Sequence, residues 1–136
     1  MTCRGLLNKT ILVIEDSHVC TDLIRAYFRK SGANLLFADR GSEGWRLFIN
    51  NDIDIVLADL RLPDTEGLSL VTRLKKSKPH IPVVVQTACT FDYSREECKK
   101  AGCDSYIAKP YAGRVFISTV LAALEGKEPL HFQNHS

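Results

Sequence analysis

The chain has 136 residues, with 18 Lys and Arg against 16 Asp and Glu for a formal net charge of +2. That length suits one domain of about 100–150 residues, and 45% hydrophobic with 25% charged residues excludes disorder over most of it. No Lys/Arg run is long enough for a nucleic-acid arm, no apolar run approaches the roughly 20 residues that span a bilayer, and MTCRGLLNKT lacks a secretory signal's apolar centre, so a cytoplasmic protein is expected.

In chain order, short apolar runs alternate with longer stretches of helical spacing, the pattern of repeated βα units around a parallel sheet. A first strand is expected at Thr10–Ile14. The first helix begins after Asp16, turns Cys20, Leu23, Ile24, Tyr27 and Phe28 to one face, and stops at Ser31-Gly32, with Gly32 as C-cap. A second strand at Asn34–Ala38 leads to a helix N-capped by Ser42, with Trp45, Phe48 and Ile49 inward and a polar break at Asn50 and Asn51.

The third strand is placed at 54–58 and the third helix at Gly67–Ser77, with Leu70, Val71 and Leu74 as its stripe and Pro79 and Pro82 ending it. Its last turn carries the basic cluster 73–78, read as a solvated helix end favoured by the macrodipole. A fourth strand at 82–86 precedes a mostly polar helix over 93–101, whose inward candidates are Cys98 and Ala101. A helix so thinly anchored can shift at low cost. The fifth strand, Ser105–Ala108, precedes a helix at Gly113–Leu124, where Phe116, Ile117, Val120, Leu121 and Leu124 make a face broad enough for a partner as well as the core. Residues 1–125 then form one domain and 126–136 a polar tail or the start of a linker. Cys3, Cys20, Cys89, Cys98 and Cys103 are odd in number and lack C-x-x-C spacing, so reduced cysteines serving as small core residues are expected.

A doubly wound sheet gathers its functional groups beyond the carboxyl ends of its strands. Glu15 and Asp16 follow ILVI, Asp59 closes DIVLAD, Thr87 ends VVVQT, and Lys109 ends SYIAK just before Pro110. Three carboxylates crowded together repel one another, and a hard dication with oxygen ligands relieves this, Mg²⁺ fitting best because it leaves positions open for phosphate oxygens. Asp59 is then the natural nucleophile, able to become an acyl phosphate, with the Lys109 ammonium and Thr87 hydroxyl as donors to phosphoryl oxygens. Pro110 fixes the turn that aims the lysine.

The ordered set E-D, D-L-R-L-P-D-T-E-G, T-A and K-P, over about residues 9–124, resembles the receiver domain of two-component response regulators, with a close likeness to the single-domain chemotaxis regulator. The resemblance implies a flavodoxin-like fold of strand order 2-1-3-4-5 with five helices. It implies Mg²⁺ held by Glu15, Asp16, Asp59 and the backbone carbonyl of Arg61, and a phosphoryl group passed to Asp59 from a histidine kinase or phosphotransfer protein. Thr87 and Lys109 would sense that group. Tyr106 would turn inward as Thr87 moves, reshaping the face of the fourth helix, fifth strand and fifth helix toward an effector or dimer partner. Such a chain is a signalling module catalysing only its own phosphorylation and dephosphorylation. Kinase specificity is expected on Asp22, Arg25 and Arg29 of the first helix. Arg61 and Cys89 depart from the polar residues many relatives carry there, and neither orients a water, so slow self-dephosphorylation is expected.

Two other readings compete. DIDIV, from Asp52 to Val56, superficially resembles the D-x-D motif of aspartyl-nucleophile Mg²⁺-dependent phosphatases, but its acids enter the strand where that chemistry needs them at its exit. A receiver-like binding module that is never phosphorylated is the other, although all five polar positions are present. His18, His80, His131 and His135 are scattered, and solvated or capping roles are expected for them.

Overall fold

Strands that read as continuous Val, Ile and Leu need cover on both faces. The computed structural model, which describes residues 4–87, 95–109 and 113–126, gives them that cover. Strands β1 (Thr10–Ile14), β2 (Asn34–Ala38), β3 (Ile55–Asp59), β4 (Val83–Thr87) and β5 (Ser105–Ala108) form one parallel sheet in the order β2-β1-β3-β4-β5. Between and after them run α1 (His18–Phe28), α2 (Gly41–Asn50), α3 (Gly67–Ser77), α4 (Arg95–Ala101) and α5 (Gly113–Leu124). The fold is the expected doubly wound α/β sheet.

Side chains alternate across each strand, which divides the core in two. Leu12, Ile14, Val56, Ala58, Val83, Val85 and Tyr106 point to the layer of α2, α3 and α4, where they meet Phe48, Leu70, Leu74 and Cys98. Ile11, Val13, Ile55, Leu57, Val84 and Ile107 point to α1 and α5 and meet Ile24, Phe28, Phe116 and Val120. A 3-10 turn at Arg4–Leu6, not foreseen from the sequence, adds the fully buried Leu6 to the second cluster.

The third and fourth strands each lie one residue later than the apolar pattern placed them. The Asp54 carboxylate accepts a hydrogen bond from the Thr10 N–H at 2.8 Å, so Asp54 ends a turn, while Asp59 pairs with Gln86 inside the ladder. Pro82 cannot donate to a ladder, and the fourth strand starts after it.

Leu23 and Ile49 are 47% and 42% exposed, because each sits at the edge of its helix's inward arc; Thr21, Ile24 and Phe28 form the buried stripe of α1. Gly32 is not the cap of α1. Arg29 fills that position, and Gly32, at φ +81°, makes the left-handed link whose carbonyl accepts the Asn8 N–H at 3.0 Å.

The basic cluster is more than a solvated helix end. The Lys75 ammonium donates to the Ile81 carbonyl at 3.0 Å and to Asp104 at 2.9 Å, the Lys78 ammonium donates to the Phe48 carbonyl at 2.9 Å, and the Arg73 guanidinium lies 4.4 Å over the Trp45 ring. These long side chains fasten α3 to its neighbours while their stems cover apolar surface. The wide face of α5 is taken up by the core: Phe116, Ile117 and Val120 are buried, and Leu121 and Leu124 pack against them.

Cys98 and Cys103 are buried and Cys20 is half-buried, all as thiols. Cys3, Cys89, Pro110, the first two residues expected for the fourth helix, and residues 127–136 lie outside the described residues. Among the described residues no helix is long and apolar enough to cross a membrane.

Candidate functional site

Each functional side chain is aimed by the end of a strand. The Glu15 N–H donates to the Ala38 carbonyl at 2.9 Å, so this residue still belongs to the ladder after β1 and its carboxylate points over the sheet edge. Ser17 follows in extended conformation and caps α1 by accepting from the Cys20 N–H, while its own N–H donates to Glu15 Oε2 at 3.1 Å. Asp16, between them, is exposed.

Asp59 is the last residue of β3 and is buried; its Oδ1 accepts the Arg61 N–H at 2.8 Å. Thr87 ends β4, 1% exposed, and its carbonyl accepts the Lys109 N–H at 2.8 Å, which fixes the backbone that carries the lysine. The Lys109 ammonium then reaches back across the sheet to Glu15 Oε1 at 2.6 Å and Asp59 Oδ2 at 3.0 Å, with Cys20 Sγ at 3.3 Å. Residues 15, 59 and 109, far apart in sequence, thus share one ion-paired cluster.

One oxygen each from Glu15, Asp16 and Asp59 lie within 4.8 Å of one another. An all-oxygen carboxylate set of this kind suits a hard dication such as Mg²⁺ and offers nothing to a soft metal. Burial pushes the Glu15 carboxyl above its ordinary value, against the lowering effect of the Lys109 hydrogen bond. Burial works against the Lys109 ammonium too, but Glu15 and Asp59 outweigh it and hold its pKa above the usual lysine value.

Four contributors were not singled out for the site from sequence. Ser17 had a local signal, its place as a capping residue just before an apolar-periodic stretch. Cys20 was assigned to the core, yet its sulfur lies against the Lys109 ammonium. Asp64 had no local signal: from the loop after β3 it accepts the Gly41 and Ser42 N–H groups at 2.7 and 2.9 Å. It therefore caps α2, where Arg40 stands in the N-cap position without a side-chain bond and Ser42 is not the cap. These two bonds hold the Asp64 carboxyl below its usual range. Gly67 opens α3 so close to the strand end that a Cβ would lie 2.5 Å from Leu60 Cα and 2.9 Å from the Asp59 carbonyl oxygen.

Tyr106 is buried at 5% exposure, facing the layer of α3 and α4. Asp52 and Asp54 stand at the start of β3, the opposite end of the sheet from the cluster, as the sequence reading had them. His18 and His80 are exposed. Beside the acids lies a cavity of about 570 Å³ lined by Glu15, Asp16, His18, Arg25, Phe37 and Asp39 among others.

The family model for the response regulator receiver domain matches residues 11–121. The polar-differentiation response regulator DivK of Brucella ovis is 30% identical over 120 residues, covering 87% of this chain and 98% of that one. Response regulator SaeR of Staphylococcus aureus is 28% identical over 123 residues, covering 90% of this chain and 54% of that protein. Among solved structures, a CheY-like receiver domain protein from Methanospirillum hungatei superposes with a TM-score of 0.80 at 26% identity, covering 87% of this chain and 94% of that one. The receiver domain of a sensor histidine kinase from Pseudomonas aeruginosa, solved with a magnesium ion in its active-site cleft, does so with a TM-score of 0.77 at 26% identity, covering 87% and 98%. The chain belongs to the receiver-domain family of two-component response regulators.

Proposed function

We propose that this receiver is a phosphoacceptor whose Asp59 takes a phosphoryl group from the phosphohistidine of a histidine kinase or phosphotransfer protein. The observation that carries the reading is the Lys109 ammonium seated between Asp59 and Glu15 at 3.0 and 2.6 Å, in the same cup as the three acids. One Asp59 oxygen forms the O–P bond as the N–P bond to the donor imidazole breaks, and the leaving nitrogen takes up a proton. The Arg61 N–H steadies the other carboxylate oxygen. Lys109 neutralises charge on the transferred oxygens, and the Thr87 hydroxyl donates to another of them. Glu15, Asp16, Asp59 and the Arg61 carbonyl would hold Mg²⁺, which supplies charge neutralisation when bound.

The same reading gives Thr87 and Tyr106 the switching role, Pro110 the fixing of the lysine's turn, and the face of α4, β5 and α5 the output. Residues 1–125 are the receiver and 126–136 a tail or linker. Asp22 and Arg25 on α1 and Arg29 at its C-cap are exposed, beside Val19 and Leu23, a mixed apolar and charged strip suited to a partner helix. The chain acts as a signalling module rather than an enzyme on outside substrates, without direct nucleic-acid or membrane contact, in the cytoplasm where such donors are charged.

Incubation with acetyl phosphate and Mg²⁺ tests this. Labelling is expected of the wild type and lost in Asp59→Asn or with a chelator. A chain that stays unlabelled, or that turns over small phosphomonoesters catalytically, defeats the proposal.

A further inference from the structure

We infer that Cys98 and Cys103 are a dithiol that a peroxide converts into a reversible intramolecular disulfide, stapling the end of α4 to the start of β5. The helix ends in a Schellman turn: Gly102, at φ +104°, donates its N–H to the Lys99 carbonyl at 3.0 Å, and the Cys103 N–H donates to the Cys98 carbonyl at 3.0 Å. That turn normally brings two apolar side chains together across its closing bond. Here the two residues that the turn brings together are Cys98 and Cys103, both buried thiols. Disulfides join Cα atoms about 4.4–6.8 Å apart, and two residues that close one turn through a 3.0 Å backbone bond are near enough to be joined.

The two sulfurs are not equivalent. The neighbouring Cys103 thiol holds the pKa of Cys98 below that of an ordinary thiol, while Cys98 and burial push that of Cys103 up. Cys98 is therefore the attacking sulfur. It breaks the peroxide O–O bond, becoming a sulfenic acid as one water leaves. Cys103 then attacks the sulfenic sulfur, its S–O bond breaks, and the second oxygen departs as water. Two thiols lose two electrons and two protons, and one peroxide becomes two waters.

Both cysteines are buried, but Cys98 lies on a helix of seven residues in which Glu96, Glu97, Lys99 and Lys100 are exposed. Opening so thinly anchored an element costs little compared with unfolding the domain. The consequence for signalling, and that alone, rests on the function proposed above: a staple beside Tyr106 would restrain the α4 side of the output face.

Trypsin separates the two cysteines, cutting after Arg95, Lys99 and Lys100 but not before Pro110, so they leave on peptides 96–99 and 101–114. The dilute full chain is treated with hydrogen peroxide, alkylated without reductant, denatured and digested. Those two peptides are expected as one linked species that dithiothreitol separates, and Cys103→Ser should leave a Cys98 sulfenic acid that dimedone traps. Finding both peptides separately alkylated at a dose that already oxidises the half-buried Cys20 overturns the inference, as does linkage of Cys98 to any other cysteine. The wild-type map decides the matter if the variant does not fold. Linked peptides from a chain that acetyl phosphate cannot label would uphold the disulfide and defeat the signalling reading; a labelled chain with unlinked peptides would do the reverse.

Discussion

Glu15 carries a burial cost that its lysine only partly offsets. Its side chain is 1% exposed, and its folded pKa is raised above 4.5 chiefly by desolvation. A raised carboxylate contributes stability that is complete below its unfolded pKa and lost as pH rises through the folded value. Without metal, Glu15→Gln should therefore be more stable than the wild type near pH 7 and match it below about pH 4.5, where the native carboxyl is itself protonated. Urea denaturation with a chelator at the two pH values checks this; a less stable variant at pH 7 would show that Lys109 outweighs burial. Removing Lys109, whose side chain is 15% exposed, leaves two buried carboxylates unpaired. Lys109→Met should cost roughly 3 kcal/mol in metal-free denaturation, with a smaller loss in an Asp59→Asn background. Since the folded pKa of Lys109 is raised above 10.5, its contribution is complete below that pH and fades in strong alkali.

Two helices meet the chain just after β3 through single residues. Asp64, from the loop after β3, satisfies the first N–H groups of α2, so Asp64→Ala should cost about 1 kcal/mol or somewhat less, as for other lost N-caps. Because its pKa is lowered, that contribution is present above 3.8 and disappears as pH falls through the folded value, so the variant and wild type should converge in acid melts. Gly67 acts by close approach: an added Cβ at 2.5 Å from Leu60 Cα pushes α3 away from the strand that ends in Asp59. Gly67→Ala should lose about 1–3 kcal/mol, as overpacking does, and slow labelling by acetyl phosphate. Unchanged labelling with unchanged stability would mean that α3 yields without cost.

For the molecule as a whole, the parallel sheet places Glu15, Asp59, Thr87 and Lys109 at one end and the strand starts at the other, so the cluster is tied to β4 and β5 through Lys109. The Lys109 N–H bond to the Thr87 carbonyl is the backbone link between the ends of these two strands. The lifetime of the phosphorylated state also belongs to this scale. Arg61 is exposed and has no base to offer an attacking water, so a phosphoryl group on Asp59 should persist for minutes or longer. Following the label after removal of donor measures this, and decay within seconds would count against it.

Periodicity alone located all five strands and five helices, because strands covered on both faces must be apolar throughout and helices on such a sheet must carry a stripe. Strand exits likewise named Glu15, Asp16, Asp59, Thr87 and Lys109, since a chain turning out of a doubly wound sheet leaves its polar residues at one rim. What neighbours in sequence could not decide was pairing over distance: Asp64 capping a helix 22–23 residues away, Lys75 and Lys78 fastening α3, and the contact of Lys109 with Cys20. The thiol pair at the end of α4 needed the turn geometry, because C-x₄-C announces nothing until Gly102 adopts its left-handed conformation. Local spacing fixes which face a residue joins; only the folded chain sets which distant donor meets which acceptor, because that depends on how layers and loops settle against one another.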